Sequence, residues 1–193
     1  MNSRVDVVKF CIENLGFSSY LEIGCKDNFT FNQVDVKRKV GVDPDQGGTV
    51  RDYSDSFFSK NTEKFDIIFI DGDHRCRQAL RDISNSLDII SDNGIVVAHD
   101  CNPWRKEDES TENIRCGDAW KAFVHFRQFD NLDCVVGDFD FGVGLLRKRQ
   151  NRNPVTLGNR VFSDLSWEDL VKNRDTWMNL SDSEDLKKWI LSP

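Results

Sequence analysis

The sequence has no apolar run long enough to cross a bilayer, and it has no long run of basic residues. Its longest apolar stretches, residues 67–70 and 95–98, fall far short of the roughly 20 residues that a membrane-spanning helix needs. The 26 basic residues are outnumbered by 33 acidic ones, which gives a net charge of −7. Because binding to a phosphate backbone needs clustered Lys and Arg, we expect neither a membrane nor a nucleic acid as partner.

Cysteine pairs of the kind that form zinc ribbons are also lacking. The six cysteines are scattered along the chain without a C-x-x-C pair. The first residues carry charges at Arg4, Asp6 and Lys9 and contain no secretory apolar core. Cysteines scattered in this way are typical of reduced thiols rather than of a disulfide framework. We therefore expect a cytoplasmic protein, and its 193 residues suit one compact domain with at most a small appendage.

Short apolar runs alternate with amphipathic segments over most of the chain. Runs at 20–23, 40–42, 65–70 and 95–98 are nearly continuous in apolar residues, which is typical of strands covered on both faces. Helical spacing predicts helices over 3–15, 75–90 and 118–129. Two late runs, 132–136 and 142–146, are spaced as an antiparallel hairpin. The pattern predicts an open, mostly parallel α/β sheet that is closed at one edge by that hairpin.

The tail differs from the rest of the chain. It is polar from Asn151 to Leu157 and then carries two short amphipathic segments near 167–177 and 184–191. We therefore predict a main domain over residues 1–150 and a helical extension over 151–193 that packs on it.

Polar residues gather where the predicted strands end. Residues 24–28, Asp43, 71–74 and 99–101 follow the four early strands, and they include two of the three histidines. Ligands of open α/β sheets bind beyond the carboxyl ends of the strands. Any one of these residues could simply end a strand or begin a helix, but the four groups together predict a binding site.

The first two strand ends are typical of an adenosine-binding crossover. Gly24 would let the backbone approach a ligand, and the carboxylate of Asp43 could accept hydrogen bonds from ribose hydroxyls. Nicotinamide enzymes carry G-x-G-x-x-G at this point, whereas this chain has a single glycine there. A cofactor without phosphates therefore fits better than a dinucleotide, and a nicotinamide oxidoreductase is disfavoured.

The order of these segments resembles the successive motifs of class I S-adenosylmethionine-dependent methyltransferases. The segments are Tyr20-Leu-Glu-Ile-Gly-Cys25, Val40-Gly-Val-Asp-Pro44, Phe65-Asp-Ile-Ile-Phe-Ile-Asp-Gly-Asp-His74 and Gly94-Ile-Val-Val-Ala-His-Asp-Cys101. The Ile-Asp-Gly-x-His block with a later His-Asp pair resembles the branch of small-molecule O-methyltransferases, which includes enzymes that methylate antibiotics and sugar hydroxyls. The resemblance implies a Rossmann-like, doubly wound, mostly parallel seven-stranded sheet with a C-terminal antiparallel hairpin.

The resemblance also implies which residues bind S-adenosyl-L-methionine. Glu22 and Gly24 would line its methionine part, Asp43 would hold the ribose, and Ser54 and Asp55 would lie near the adenine, with Asp71 completing the site. Asn28 stands where the family often has a second glycine. Asparagine tolerates left-handed backbone geometry, so the loop can keep its shape.

The strand ends at Asp71 and Asp100 are the implied catalytic and metal region. In metal-dependent relatives an Asp binds Mg²⁺, a His three residues later removes the acceptor's proton, and two acids after the next strand complete the metal site. Asp71, His74 and Asp100 match, but His99 stands in the place of an acid. The implied catalytic residues are His74 and Asp71, and the implied ligands of Mg²⁺ or Mn²⁺ are Asp71, His99 and Asp100. Because Mg²⁺ prefers oxygen ligands, His99 leaves a metal-free site open.

The acceptor is expected to be small. The relatives act on sugars, macrolide-type glycosides and phenols, so we expect a sugar or glycan hydroxyl, with a catechol or phenol as the alternative. A module that binds the cofactor without transferring a methyl group is the rival from another class. Trp104, in the long polar loop 102–115, and Trp120 could wall the acceptor pocket, although Trp120 on an amphipathic helix is more typical of a core. The sequence leaves the oligomeric state open.

Overall fold

A computed structural model describes residues 1–110 and 115–193. The helices are α1 Arg4–Leu15, α2 Ser54–Lys60, α3 Cys76–Ile89, α4 Trp120–Phe126, α5 Trp167–Met178 and α6 Ser183–Leu191. The strands are β1 Ser19–Ile23, β2 Arg38–Val42, β3 Phe65–Ile70, β4 Ile90–Ala98, β5 Asp133–Gly137, β6 Val143–Arg147 and β7 Leu180–Ser181. Short 3₁₀ helices lie at Phe31–Gln33, Lys106–Glu109 and Phe162–Asp164.

The strands form one seven-stranded sheet in the order β2-β1-β3-β4-β6-β5-β7. Neighbours among β1 to β4 run parallel, as do β5 and β7, whereas β6 is antiparallel to both β4 and β5. The predicted Rossmann-like, mostly parallel sheet with a C-terminal hairpin is confirmed. Because β1, β2, β3 and β4 run in the same direction, their carboxyl ends meet at one edge of the sheet.

Both faces of the sheet are covered, which explains the continuous apolar runs of the early strands. Alternate residues of β3 point to opposite faces, so Ile68 packs with α3, α4 and α5 while Phe69 packs with α1 and α6. Each side chain of this size contributes about 1.5–3 kcal/mol when it is fully buried. The described residues contain no helix that is both long and apolar enough to span a membrane.

The helix boundaries follow local capping chemistry. The hydroxyl of Ser3 accepts a hydrogen bond from the Asp6 amide at the start of α1, and Gly16 ends that helix with a left-handed φ of 66°. Helix α5 begins with a reciprocal pair in which Ser166 and Asp169 each accept from the other's backbone amide. These are the end signals that a sequence can carry by itself.

Several elements differ from the sequence predictions. Strand β4 begins at Ile90, directly after α3, rather than at residue 95, and its register with β3 shifts near Phe65. Helix α4 is shorter than 118–129, since it covers only Trp120–Phe126. Trp120 is fully buried and stacks on Trp177 with ring centres 6.4 Å apart. It therefore belongs to the core and not to an acceptor wall.

The tail contributes to both cores and to the sheet. Leu170 and Trp177 of α5 pack into the core on one face, and Leu186 and Ile190 of α6 pack into the core on the other. Between these helices the two-residue strand β7 pairs with β5, a strand that the helical pattern of the tail did not predict. The division into a main domain and a helical extension stays a prediction.

Candidate functional site

A cleft of about 1110 Å³ opens at the carboxyl ends of β1, β2, β3 and β4. Every residue implied as a cofactor, catalytic or metal residue lines it: Glu22, Gly24, Asp43, Ser54, Asp55, Asp71, His74, His99 and Asp100. The parallel strands bring these side chains together because their ends share one edge. The assignment of a role to each of them stays a prediction, and the geometry below defines what each can do.

The loop after β1 depends on residues that accept left-handed geometry. Gly24 has φ 84°, and a Cβ atom there would lie 2.2 Å from the carbonyl oxygen of Asp71. The glycine is thus required by the close approach of the β1 and β3 ends, whereas the sequence suggested an approach to the ligand. Asn28 has φ 63°, and its Oδ1 accepts a 2.7 Å hydrogen bond from the amide of Gly48.

Asp43 anchors two loops at the end of β2. Its Oδ2 accepts from the amides of Cys25 and Lys26 at 2.9 and 2.8 Å, and its Oδ1 accepts from Asp45 and Gln46 at 2.9 Å each. Burial raises the pKa of Asp43, but the four amides lower it by more, so the pKa lies below its usual range. A carboxylate that is charged at neutral pH therefore holds both loops in place.

Glu22 lies beneath the same loop and is only 1% exposed. The hydroxyl of Tyr20 donates a hydrogen bond to its Oε2. Burial, with a smaller contribution from the negative charge of Asp71, raises the pKa of Glu22 to about 8. The side chain is therefore mainly protonated at neutral pH.

Asp71, His74 and Asp100 form a compact cluster of donor atoms. His74 Nε2 lies 3.3 Å from Asp71 Oδ1, and His74 Nδ1 lies 3.3 Å from Asp100 Oδ2. One potential ligand atom from each residue falls within 4.8 Å of the other two. His74 Nδ1 also contacts the carbonyl oxygen of Arg115. A carbonyl can only accept, so Nδ1 carries the hydrogen and Nε2 is the nitrogen left for chemistry.

His99 lies directly behind this cluster. Its Nδ1 is 3.3 Å from Asp71 Oδ1 and 3.2 Å from Asp100 Oδ2, yet it makes no hydrogen bond of acceptable geometry to any described residue. The imidazole is 7% exposed. An orphaned buried nitrogen between two carboxylates is a feature that a bound cation would satisfy.

Two further residues of the site were missed by the sequence reasoning. Arg4 Nη1 lies 3.0 Å from Asp140 Oδ1, and Arg4 Nε lies 3.6 Å from Asp71 Oδ2. Asp140 Oδ1 is also 3.4 Å from His99 Nε2. Arg4 belongs to the first turn of α1 and Asp140 to the turn between β5 and β6, so no local pattern connects them. The only available signal was the run of aspartates and phenylalanines in that turn.

The charges of the cluster shift its pKa values in opposite directions. Burial raises the pKa of Asp71, but the charges and hydrogen bonds of His99 and His74 lower it well below the usual range. Burial lowers the pKa of His74, but Asp71 and Asp100 raise it by more, and the same balance raises the pKa of His99 further. Arg4 and His99 hold the pKa of Asp140 at about 2 against the effect of burial. The cluster therefore favours charged carboxylates and protonated imidazoles.

The donor set fits a divalent cation of intermediate softness. The carboxylates of Asp71 and Asp100 converge with the imidazole of His74. Nδ1 of His99 adjoins them and makes no hydrogen bond to a described residue. The implied ligand set contained His99, whereas the compact cluster contains His74, and both sets share Asp71 and Asp100. Mixed nitrogen and oxygen ligands suit Mn²⁺ better than Mg²⁺.

The far end of the cleft is lined by polar groups of α2 and α3. Gln78 Nε2, which has two hydrogens to donate, lies 3.1 Å from Ser54 Oγ, 3.1 Å from Asp55 Oδ1 and 3.0 Å from Asp82 Oδ1. Asp82 is 1% exposed, and burial raises its pKa to about 6. Sequence reasoning used only the apolar face of α3 and so missed Gln78 and Asp82.

Trp104 contacts a residue that lines the cleft. It is 54% exposed and stacks on Phe141, with ring centres 4.4 Å apart. Phe141 lines the cleft. Trp104 is thus an exposed neighbour of the cleft, whereas Trp120 is buried in the core. Residues 111–114 of the loop 102–115 lie outside the described residues.

The sequence and the fold were compared with known proteins. Residues 21–101 match the family model of a methyltransferase domain, Methyltransf_24. This segment is less than half of the chain, and it spans β1 to the end of β4, where the cleft lies. No curated protein sequence matches the chain at a significant level.

Solved structures of methyltransferases share the fold. The SAH-bound Podospora anserina methyltransferase PaMTH1 is 19% identical, with a TM-score of 0.58 over 78% of this chain and 80% of that one. Cofactor-bound Rv0187 from MTB is 14% identical, with a TM-score of 0.57 over 78% and 83%. The O-methyltransferase from Bacillus cereus in complex with SAH is 13% identical, with a TM-score of 0.51 over 75% and 80%. Residues 21–101 are thus similar to a methyltransferase domain, and the chain shares the fold of these solved methyltransferases.

Proposed function

We propose that this protein transfers a methyl group from S-adenosylmethionine to a hydroxyl of a small acceptor, a sugar or glycan. The observation that carries the proposal is the cluster of Asp71, His74 and Asp100, which lines the same cleft as Glu22, Gly24 and Asp43. A protein that only bound the cofactor would have no need for a convergent set of acids and a base.

The cofactor half of the cleft is assigned to β1, β2 and α2. Glu22 and the Gly24 loop would receive the methionine part, and Asp43 would face the ribose. Ser54 and Asp55, held by Gln78, would face the adenine. The loop after β1, which Asp43 holds through the amides of Cys25 and Lys26, presents no glycine-rich phosphate cradle, which favours a cofactor without a pyrophosphate.

The acceptor half of the cleft would contain His74 and the two carboxylates beside it. In the transfer, the acceptor oxygen forms a bond to the methyl carbon as the carbon–sulfur bond breaks, leaving S-adenosylhomocysteine and releasing the hydroxyl proton. His74 Nε2 would take that proton after losing its own, while the Arg115 carbonyl holds Nδ1 in the donating form. Holding two reactants in line contributes about 7–11 kcal/mol in well-oriented cases.

A divalent cation would be held by Asp71, His99 and Asp100, which leaves His74 Nε2 free to accept the proton. When bound, it would lower the pKa of the acceptor hydroxyl and of the imidazole beside it. The nitrogen donors favour Mn²⁺ over Mg²⁺. With or without a bound cation, Arg4 would orient Asp71, and Asp140 would orient His99.

The polarity of the cleft supports a sugar rather than a phenol. Ten of the residues that line it carry carboxylates, with Asp27, Asp45, Asp73 and Asp140 among them. A pyranose offers several hydroxyls to such groups and an apolar face to an exposed aromatic ring such as Trp104. The net charge of −7 supports a small molecule over a nucleic acid, and the six free cysteines support a cytoplasmic location.

The test is a methyl-transfer assay with labelled S-adenosylmethionine and matched panels of sugars, glycosides and catechols, with and without Mn²⁺. We expect transfer to a sugar hydroxyl, and we expect calorimetry to detect S-adenosylhomocysteine but not NAD. Transfer only to catechols would show that the acceptor is a phenol and not a sugar. Tight cofactor binding with no transfer to any panel would reduce the protein to a binding module.

A further inference from the structure

The backbone at Asp100 is held in an unusual conformation. Asp100 has φ 59°, a left-handed value that non-glycine residues rarely adopt, and its carboxylate lies 3.3 Å from His74 Nδ1. Such a conformation persists only where the surrounding structure enforces it. The next two residues provide one part of that enforcement, because the amide of Cys101 donates to the Gly142 carbonyl at 3.0 Å and the amide of Asn102 donates to the Phe141 carbonyl at 2.8 Å.

Asn102 connects this segment to the rest of the protein. It is a polar residue that is only 2% exposed. Its Nδ2 donates to Asp138 Oδ1 at 3.0 Å, which fastens it to the turn between β5 and β6. A Cβ atom on Gly142 would lie 2.3 Å from the Asn102 amide nitrogen, so the two segments pack without any spare room.

The remaining support comes from the C-terminal tail. The guanidinium of Arg174, on α5, donates to Asn102 Oδ1 and, at 2.7 Å, to the carbonyl oxygen of Pro103. Its Cζ also lies 5.3 Å from the ring centre of Trp167. Arg174 therefore contacts the residues that stand between Asp100 and Trp104.

Helix α5 is itself firmly anchored. Leu170 is fully buried and Trp177 is 6% exposed. Arg127, which is 1% exposed, donates to the carbonyl oxygens of Trp177 and Thr176 at 3.2 and 3.4 Å. The guanidinium of Arg174 thus approaches the site from a fixed body, although it lies outside the segment that matches a methyltransferase domain.

We propose that Arg174 is a positioning residue for the acceptor side of the site. By holding Asn102 and Pro103, it keeps Asp100 directed at His74 on one side and keeps Trp104 on Phe141 on the other. The tail then positions residues of the site in addition to packing on the core. This inference rests on the proposed methyl transfer.

The experiment compares wild-type protein with Arg174→Ala, Arg174→Lys and, as a matched control, Lys172→Ala. Lys172 is an exposed cation on the same helix. We expect Arg174→Ala to lower kcat/KM for the acceptor by about 10²-fold, as a small misplacement of reacting groups does. Affinity for S-adenosylhomocysteine, measured by calorimetry, should stay within about twofold because Arg174 is not among the residues that line the cleft. Lysine should restore part of the rate because it can still donate to one of the two acceptors.

A double-mutant cycle with Asn102→Ala separates positioning from simple stability. The losses of kcat/KM should be strongly non-additive, because either change breaks the same connection, while Lys172→Ala should be silent. Equal kcat/KM in wild type and Arg174→Ala, or a loss in Arg174→Lys that merely follows its melting temperature, would overturn the inference. Absence of methyl transfer by the wild-type protein would instead overturn the proposed function, and this inference with it.

Discussion

Strand β3 carries an aspartate near each of its ends, and the two are bound in opposite ways. At the amino end, Asp66 Oδ2 accepts from the amides of Ser18 and Ser19 at 2.9 and 3.0 Å, and Oδ1 accepts from the Ser91 hydroxyl at 2.9 Å. At the carboxyl end, Asp71 faces His74, His99 and Arg4 at 3.3 to 3.6 Å. Asp66 is thus surrounded by neutral donors, and Asp71 by charges.

The difference separates a structural carboxylate from a functional one. Neutral backbone and hydroxyl donors satisfy Asp66 completely and offer nothing to a ligand. The groups around Asp71 are side chains that can lose a proton or exchange partners when a cation or an acceptor enters. Perturbed pKa values at a cleft, arising from desolvation and a specific charged partner, are typical of functional sites.

The largest expected effect is on the charged end of β3. His74→Ala should reduce turnover by about 10²–10⁴-fold, which is the usual cost of removing a general base. The measurement is kcat in the methyl-transfer assay, with calorimetry of S-adenosylhomocysteine as the control for folding, where affinity should stay close to normal. Unchanged turnover would show that His74 is not the general base and would leave positioning as the protein's only contribution to the reaction.

The cation at this end of β3 gives the next effect. EDTA and Asp100→Asn should each abolish most of the activity, and Mn²⁺ should restore it after EDTA better than Mg²⁺ does. Equilibrium dialysis with Mn²⁺ should show that Asp100→Asn weakens binding of the metal itself. Full activity in both EDTA and Asp100→Asn would leave a metal-free mechanism.

Asp43 should combine a structural role, like that of Asp66, with a functional role, like that of Asp71. Asp43→Ala removes the acceptor of four backbone amides as well as the carboxylate assigned to the ribose. We expect a weaker Kd for S-adenosylhomocysteine while the protein stays folded, because the affected loops lie at the surface of the cleft. Unaltered affinity would remove Asp43 from the cofactor site and leave it with the loops alone.

The smallest effect on activity is expected at the neutral end of β3. Asp66→Asn should lower the free energy of unfolding by about 1–3 kcal/mol, because donors from Ser18, Ser19 and Ser91 lose their charged acceptor. Burial raises the pKa of Asp66, but those donors lower it by more. Its stabilisation is therefore present above pH ~4, the unfolded pKa of aspartate, and is lost as pH falls through the lower folded pKa. Thermal melts across this range should show a weaker acid dependence in Asp66→Asn.

The parts of the fold that sequence could predict are those with local signals. Strand β3 has the predicted bounds because an apolar run ends at an Asp-Gly pair, and α1 ends at the predicted residue because Gly16 follows it, although the helix begins at Arg4 and not at Ser3. Strand β7 has only two residues, so its existence depends on pairing with β5 and not on its own pattern.

The candidate site divides in the same way. Asp71 and His99 follow strands directly, so parallel pairing alone brings them together. Arg4 and Asp140 reach the site from a helix start and a distant turn, and Arg174 reaches it from the tail. Such long-range contacts depend on the packing of the whole fold, which no local spacing encodes. Trp120 is a residue whose local pattern was sufficient, because its position on an amphipathic helix correctly predicted that it lies in the core.

The most direct test measures methyl transfer by wild-type protein, Asp66→Asn and Asp71→Asn in one assay, below the melting temperature of the least stable variant. The account predicts a wild-type kcat for Asp66→Asn and a loss of at least about 10²-fold for Asp71→Asn. Equal rates in the two variants would contradict the assignment of the chemistry to the carboxyl end of β3.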